Sequence, residues 1–266
     1  MSESREALLT RLGLRFGING PHAARTMMLD DLRVLLAHTS VQATRDDYAT
    51  VIVESNVLGK PTRKARELAL RHLGVLYGLD LANPLFRALR RLWPRNEAAQ
   101  PMLALAVALA RDPLLRSTQP FVLKQAYGAS LPRESFESFL STAFPDRFSP
   151  ATLRSAAQNV GGTWTASGHL QGHRRKVRSQ PKPQPESVAM LLFVGYLEGR
   201  TGQRLFTSDW LSLFGVPLDE LEALAGAASN RGLLVFMNAG GVQELRFPDY
   251  LTPDEELIRQ EVSHVI

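Results

Sequence analysis

The sequence is apolar at nearly every position in the segment Pro101-Met102-Leu103-Ala104-Leu105-Ala106-Val107-Ala108-Leu109. Proline is favoured in the first turn of a helix, and a helix that is hydrophobic all round its axis is buried in a core. The segment is much shorter than the roughly 20 residues that a membrane-spanning helix needs. We therefore expect Met102 to Leu109 to form a core helix against which other elements pack.

The flanking segments also have helical spacing. Glycine or proline breaks separate them, and their apolar residues recur every three or four positions over 4–16, 23–37, 46–59 and 134–144. Pro61-Thr62, Leu85 and Ser149-Pro150 mark three more helix starts, and the last helix is predicted to end near Asn159. No strand pattern occurs before residue 160. Residues 1–160 are therefore predicted to form an all-helical domain.

The C-terminal part has a different pattern. Helices are predicted over 187–196, 210–214 and 218–229, with a short strand at 204–206 and two strands at 233–237 and 242–247. The turn Asn238-Ala239-Gly240-Gly241 between the last two strands indicates a hairpin. This order is typical of a winged helix. The predicted fold class is therefore mainly α, a helical bundle followed by a winged-helix-like α+β domain at 187–250 and an acidic tail at 251–266.

Composition limits the classes of function. The chain has 266 residues and no cysteine, which excludes disulfides, thiolate catalysis and cysteine-ligated metals. It has no long apolar run, and its first residues are polar and mixed in charge, unlike a signal peptide. We therefore expect a cytoplasmic protein without a membrane association. The sequence pI of about 9.8 points to polyanions where the cations are clustered.

The cations are clustered in two blocks. Residues 60–95 hold nine Lys and Arg against two Asp and Glu, and residues 147–185 hold seven against none. The second block includes residues 161–186, which we interpret as a basic, proline-rich linker between domains. An ordinary solvated linker remains the alternative for this segment.

Both blocks are predicted to contact nucleic-acid phosphates. Cations at the start of a helix are disfavoured by its dipole, and a phosphate backbone would explain them because free amides and cations converge on the same anions. A solvated helical face is the alternative. The predicted contacts in the first block are Lys60, Arg63, Lys64, Arg66, Arg71, Arg87, Arg90 and Arg91. Those in the second block are Trp164, Thr165, His169, Arg174, Arg175, Lys176 and Arg178.

The second helix of the predicted winged helix is acidic where such a helix normally enters the major groove. It begins with Asp219, Glu220 and Glu222, and residues 186–266 hold five basic and twelve acidic side chains. We therefore interpret this domain as a protein-contact or dimerisation module. Weak DNA contact through Asn230, Arg231 and the hairpin tip remains the minority interpretation.

No catalytic or cofactor chemistry stands out. His169 and His173 are four residues apart, but Gly168 and Gly172 argue against a helix there and no carboxylate lies nearby as a third ligand. No Ser–His–Asp order and no compact group of acids for Mg²⁺ is evident. We expect no enzyme activity, no metal and no cofactor.

A family resemblance rests on one stretch, Glu54-Ser55-Asn56-Val57-Leu58-Gly59-Lys60-Pro61-Thr62-Arg63-Lys64-Ala65-Arg66. It resembles the Asn-x-Leu-x-Lys-x-Thr-Arg signature of BrxA-type proteins of bacteriophage-exclusion (BREX) defence systems. Looser similarity at 102–116 and 163–168 extends it over most of the chain, while the basic linker and the chain length depart from the family. The resemblance implies a helical, non-catalytic DNA-binding component that works beside a methyltransferase and other defence proteins. It carries over Lys60, Thr62, Arg63 and Lys64 as DNA-contact residues.

The leading hypothesis is an accessory protein that binds double-stranded DNA through phosphates, with weak sequence preference and steep salt dependence. The alternative is a protein–protein adaptor whose acidic winged helix docks a partner and whose basic blocks are solvated or bind RNA. No aromatic platform for single strands is evident, so DNA and RNA are not distinguished. The sequence leaves the oligomeric state open, a homo-oligomer included.

Overall fold

The computed structural model describes residues 3–173 and 175–264, and this part of the chain is mainly helical. Its α-helices are α1 Arg5–Arg11, α2 Leu29–Ala37, α3 Arg45–Ala49, α4 Arg63–Tyr77, α5 Pro84–Leu92, α6 Gln100–Arg111, α7 Pro113–Ser117, α8 Gln119–Leu123, α9 Arg133–Ala143, α10 Pro150–Ala166, α11 Pro185–Leu197, α12 Gln203–Phe206, α13 Leu218–Asn230 and α14 Pro253–His264. Short 3-10 helices include Pro21–Ala23 and Leu211–Phe214, and a π-helical turn, Thr50–Glu54, follows α3. Among the described residues, no helix combines the length and the apolar character needed to cross a membrane.

Two small antiparallel hairpins complete the part of the chain that the structure describes. One pairs β1 Leu170–Gln171 with β2 Val177–Arg178, and Ser130 bridges to Val177 on the other side of β2. The other hairpin pairs β3 Val235–Ala239 with β4 Val242–Arg246 around Gly240 and Gly241. The predicted C-terminal hairpin is therefore present, while the first hairpin lies in the segment interpreted as a linker.

The chain forms two compact units, each built from separate stretches. Unit I comprises residues 1–16, 83–106 and 182–266, and unit II comprises residues 17–82 and 107–181. This division differs from the predicted consecutive domains at 1–160, 161–186, 187–250 and 251–266. Hydrophobic periodicity shows which face of a helix is buried but not which helices it packs with, so the discontinuous units had no signature in the sequence.

The prediction of a core helix at 102–109 is confirmed, because residues 103–110 in α6 are fully buried. The predicted helix end near Asn159 is too early, since α10 continues to Ala166 through Gly161 and Gly162. A methyl group on Gly162 would lie 3.2 Å from Thr26 Cγ2, and one on Gly161 would lie 3.6 Å from the Phe136 ring. These glycines permit close packing within the helix instead of ending it.

Other boundaries also differ from the sequence predictions. The predicted strand at 204–206 lies in helix α12, and the predicted acidic tail at 251–266 contains helix α14. The predicted linker at 161–186 contains the end of α10, strands β1 and β2, and the first turn of α11. Short segments such as 204–206 have too few residues for periodicity to distinguish a strand from a helical turn.

Unit II is organised around helix α10. Helix α9 and the 3-10 helix Pro21–Ala23 pack against it. Its core includes the fully buried side chains of Tyr48, Tyr77, Phe136 and Trp164. A buried polar network also crosses this core, joining Asp112 at the start of α7, His22 and Thr163 of α10.

Unit I is organised around helix α11, in which Val188 to Val194 are fully buried. Helices α5 and α13 pack against it, and α14 packs against α1. The inward ring of Phe193 contacts Phe247 and Tyr250, with centroid distances of 5.4 and 4.8 Å. Aromatic packing therefore joins the segment after β4 to the central helix of this unit.

Candidate nucleic-acid interface

Helix α4 of unit II carries the first basic block, and its start is fixed by local hydrogen bonds. The Thr62 hydroxyl caps the helix by accepting from the Ala65 backbone N–H at 3.1 Å. The Lys60 N–H donates to the side-chain oxygen of Asn56 at 2.8 Å, and Gly59 has a φ of +61°, which favours glycine. The loop therefore holds Lys60 and the first cations of α4 in a defined position.

Acidic residues pair with part of this block. Lys60 Nζ lies 2.8 and 3.0 Å from the two carboxylate oxygens of Asp31. Arg63 contacts Glu54 at 2.8 Å and Glu67 at 3.1 Å, although its side chain remains 64% exposed. The positive charge of these two residues is thus partly compensated.

Arg66 is partly buried and is directed to the protein itself. One of its terminal nitrogens donates to the Val53 carbonyl at 3.0 Å. Its Nε is buried and has no hydrogen-bond partner in the structure. Arg66 is therefore fixed to the π-helical turn. The predicted phosphate contact would have required this side chain to be exposed to solvent.

Lys64 and Arg71 on the same helix are exposed, and in the described part of the chain no carboxylate pairs with either of them. Arg71 and Arg25 act together on His72: burial chiefly lowers the pKa of this imidazole, and the charges of Arg25 and Arg71 lower it further. Arg25 and Arg71 therefore both lie close to His72 and make the potential there positive.

Arg25 was not among the predicted contacts. It is exposed, and it lines an open cavity of about 390 Å³ between the start of α2 and the face of α4, together with Lys60, Asp30 and Asp31. Arg25 stands alone between neutral residues in the sequence, about 35 positions before the first basic block. Its proximity to that block comes from the tertiary fold, so charge clustering along the chain gave no signal for it.

The arginines of α5 lie in unit I and serve that unit. Arg87 donates to the Tyr250 carbonyl at 2.9 Å and pairs with Glu255. Arg91 donates to the Pro248 carbonyl at 2.9 Å and stacks over the Tyr250 ring, and Arg90 is only 4% exposed. The prediction that these three residues contact phosphates is therefore corrected: Arg87 and Arg91 hold residues 248–255 against the helix, and Arg90 is an interior residue.

Three predicted contacts of the second block are interior residues. Trp164 is fully buried, and its Nε1–H donates to Thr118 Oγ1 at 2.9 Å. His169 is also fully buried, with its ring packed edge-on against Trp164 at 4.8 Å. Arg178 is 3% exposed and donates to the His169 carbonyl at 3.1 Å. These side chains cannot meet a phosphate in this structure, because helix α10 and the β1–β2 hairpin enclose them.

The remainder of the second block lies nearer the surface. Thr165 is partly buried and accepts from Lys176 Nζ at 2.8 Å, and burial lowers the pKa of Lys176. Arg175 and His173 are exposed beside the hairpin turn. Arg174, another predicted contact, lies outside the described residues. Among the predicted contacts of this block, Arg175 is the described arginine that is exposed to solvent.

An exposed aromatic side chain lies beside the same hairpin. Tyr127 is 54% exposed, and the guanidinium carbon of Arg178 lies 5.1 Å from its ring centroid. Sequence reasoning missed Tyr127 because it follows α8 in a turn, where no periodicity separates exposed from buried rings. The neighbouring Gly128 indicates a turn, but a turn signal does not show whether the Tyr127 ring is exposed.

Charge is distributed unequally between the two units. Unit II contains 18 Lys and Arg against 11 Asp and Glu, whereas unit I contains 13 against 15. The net positive charge of the chain therefore belongs to unit II. In unit I, the exposed Asp219 and Glu220 begin α13, and Arg231 pairs with the buried carboxylate of Glu186 at 2.7 Å.

Among residues 3–173 and 175–264, no group of three or more histidine or acidic side chains is arranged to hold a metal ion. The His22–Asp112–Thr163 network has the residue types of a catalytic relay, but all three are fully buried and the Thr163 oxygen also accepts from the Met27 N–H at 2.9 Å. We assign the network a structural role. Comparison with protein-family models gives no match, and neither does comparison with curated proteins.

Proposed function

We propose that this chain is a non-catalytic protein that binds double-stranded DNA through the phosphate backbone, using unit II. The observation that carries the proposal is the group of exposed cations Arg25, Lys64 and Arg71 of unit II, which have no carboxylate partner among the described residues. Arg25 and Arg71 both lie close to His72, and Lys64 is on the same helix as Arg71. Unpaired cations with a common field are the side chains that displace counterions from a phosphate backbone.

Residues with acidic partners contribute less to this surface. Lys60 and Arg63 lie beside the three cations and remain partly solvent-accessible, so they extend the positive surface once a phosphate competes with their carboxylates. Thr62 caps the helix from which the cations project. The side chains of this surface are cations suited to phosphate contacts, and we therefore propose binding with little sequence preference.

Paired substitutions test the proposal. The double variant Lys64→Ala/Arg71→Ala removes two unpaired cations from unit II, and the control Arg204→Ala/Arg246→Ala removes two exposed arginines from unit I. Duplex affinity is measured by fluorescence anisotropy over a range of salt concentrations. The first variant should weaken binding and reduce the slope of log K against log salt by about 2, since each phosphate contact contributes about 0.9. Equal effects of both variants would contradict the assignment to unit II.

We further propose that unit I is winged-helix-like and docks a protein partner. The order α11, α12, the 3-10 helix Leu211–Phe214, α13 and the β3–β4 hairpin supports this interpretation. The exposed carboxylates of Asp219 and Glu220 at the start of α13 would repel phosphates, which favours a protein at this surface. Together with the stretch 54–66, this arrangement supports a BrxA-type accessory component that acts in the cytoplasm beside other defence proteins, a methyltransferase among them.

The second candidate function is an adaptor without DNA binding. The acidic start of α13 favours it, because a partner that binds there needs no contribution from unit II. Charge reversal at Asp219 and Glu220 should abolish partner capture and leave duplex binding intact under our proposal. If the purified chain bound neither duplex DNA nor RNA but still captured a partner through α13, the adaptor would be the better account.

A further inference from the structure

Tyr127 is an unusual surface residue of unit II. Among the described residues, the large hydrophobic side chains that are prominently exposed are Ile18, Val34, Val41, Tyr127, Leu218, Met237, Val242 and Leu257, and Tyr127 is the aromatic one. More than half of its side chain meets solvent. Nucleobases stack on aromatic rings that are exposed to solvent beside cations.

The ring is held in place from behind. The Arg178 guanidinium lies 5.1 Å from its centroid and is itself fixed by the carbonyls of His169 and Ser179. Below that pair, the His169 ring packs edge-on against Trp164, which is anchored to Thr118. A row of buried contacts therefore leads from the core of unit II to one face of the Tyr127 ring.

The backbone next to Tyr127 is fixed as well. The Gly128 N–H donates to the Arg178 carbonyl, and the Arg178 N–H donates to the Ala129 carbonyl, both at 2.8 Å. The segment thus pairs with β2 and cannot swing away from the hairpin. A preorganised aromatic ring loses little conformational entropy when a ligand stacks on it.

Cations flank this ring along the chain. Lys124 precedes it by three residues and is exposed, and Arg175 is exposed two residues before β2, which pairs with the segment after Tyr127. In the described part of the chain neither cation has an acidic partner. The surroundings of the ring therefore favour a ligand that carries phosphates as well as an aromatic base.

We propose that Tyr127 is a stacking platform for an unpaired nucleobase, with Arg178 supporting the ring and Lys124 and Arg175 contacting the adjoining phosphates. The inference rests on the proposed binding of nucleic acid by unit II and adds a preference for a duplex that has a single-stranded extension or an unstacked base. The buried Trp164, His169 and Arg178 then act as positioning residues for Tyr127. They do not themselves contact the ligand.

The experiment compares a blunt duplex with the same duplex carrying a single-stranded extension that contains 2-aminopurine. The full-length wild-type chain should bind the extended duplex more tightly, and the 2-aminopurine fluorescence should be quenched by stacking. Tyr127→Ala should remove this preference by weakening the affinity for the extended duplex roughly tenfold. Its binding to the blunt duplex should be unchanged. Tyr127→Phe should retain the preference because the ring is kept, and Val41→Ala serves as an exposed apolar control in the same unit.

The outcomes separate this inference from the proposed function. Equal binding of both duplexes by the wild-type chain, or a preference that survives Tyr127→Ala, would overturn the platform and leave phosphate binding in place. Binding of the extension alone, dependent on Tyr127, would support the platform and overturn the duplex proposal. Binding of neither probe would overturn both. The quenching of 2-aminopurine by wild-type protein keeps the test decisive if Tyr127→Ala fails to fold.

Discussion

Asp112 Oδ2 lies 2.7 Å from Nδ1 of His22 and 2.9 Å from the backbone nitrogen of the same residue, although the two residues are 90 positions apart. The other ring nitrogen of His22 lies 2.8 Å from Thr163 Oγ1. All three side chains are fully buried. This network joins the start of α7, the 3-10 helix Pro21–Ala23 and the middle of α10, and so fixes the frame of unit II from which the basic surface projects.

Gly20→Ala tests how closely this network is packed. An added methyl group at Gly20 would lie 1.7 Å from Asp112 Oδ1, so the carboxylate must move and lose its bonds to His22. We expect the free energy of unfolding to fall by more than about 2 kcal/mol, measured by urea denaturation.

The matched control is Gly74→Ala within α4, where an added methyl group would meet nothing within 4 Å. That substitution should stabilise the protein by about 0.5–1 kcal/mol, because alanine is the better helix former. A Gly20→Ala variant as stable as the wild type would show that the network is looser than described.

The ionisation of Asp112 should make the free energy of unfolding depend on pH in the acidic range. Burial alone would raise the pKa of its carboxyl group, but the hydrogen bonds and charge of His22, with the Leu115 N–H, bring it below the ordinary value of 3.8. A group with a lowered folded pKa stabilises the protein above its unfolded pKa, and this contribution is lost as the pH falls from 3.8 through the folded pKa. The unfolding free energy of the wild type should therefore decline more steeply in this acidic range than that of Asp112→Asn. Parallel curves for the two proteins would contradict this assignment.

Local patterns in the sequence predicted part of this fold. The continuous apolar run identified α6 as a core helix, Thr62 was recognised as a helix cap, and Asn238 to Gly241 marked the C-terminal hairpin. The partners of these elements were not predictable. His22, Asp112 and Thr163 come from segments that share no motif, and a network of single residues leaves no periodic signal.

Charge clustering in the sequence failed for a related reason. Arg87 and Arg63 both lie in helices rich in cations, yet the Arg87 side chain is 25% exposed and pairs with Glu255, whereas the Arg63 side chain is 64% exposed. A count of charges along the chain does not detect a carboxylate, such as that of Glu255, that is 168 residues away in sequence but adjacent in the fold. The same limitation hid Arg25, which joins the basic surface only in the folded chain.

Replacing these two arginines should separate stability from binding. Arg87→Ala leaves the partly buried Glu255 and the Tyr250 carbonyl without their donor, and we expect a loss of about 2 kcal/mol in unfolding free energy. Arg63→Ala should hardly move the denaturation midpoint, since exposed ion pairs contribute little.

Duplex affinity provides the second readout for this pair. Folded Arg87→Ala protein should bind duplex DNA as the wild type does, because Arg87 belongs to unit I. Arg63→Ala should bind moderately more weakly. Reduced duplex binding by well-folded Arg87→Ala protein would contradict this expectation and indicate that α5 contacts the DNA.

Trp164→Phe should affect stability alone. It removes the bond from the indole N–H to Thr118 Oγ1, a group that is fully buried, and leaves a small cavity. We expect a loss of about 1–3 kcal/mol in unfolding free energy, with unchanged affinity of the folded protein for a blunt duplex. A stable variant with impaired blunt-duplex binding would support direct contact of Trp164 with DNA.

The most direct test of the proposed phosphate binding by unit II is a fluorescence-anisotropy titration of the wild-type chain with a short blunt duplex over a series of salt concentrations. We predict saturable binding whose log K falls linearly with log salt, with a slope of about −3 to −5 from the three unpaired cations and the two partly compensated ones. Binding that does not change with salt, or the absence of binding at low salt, would contradict the account.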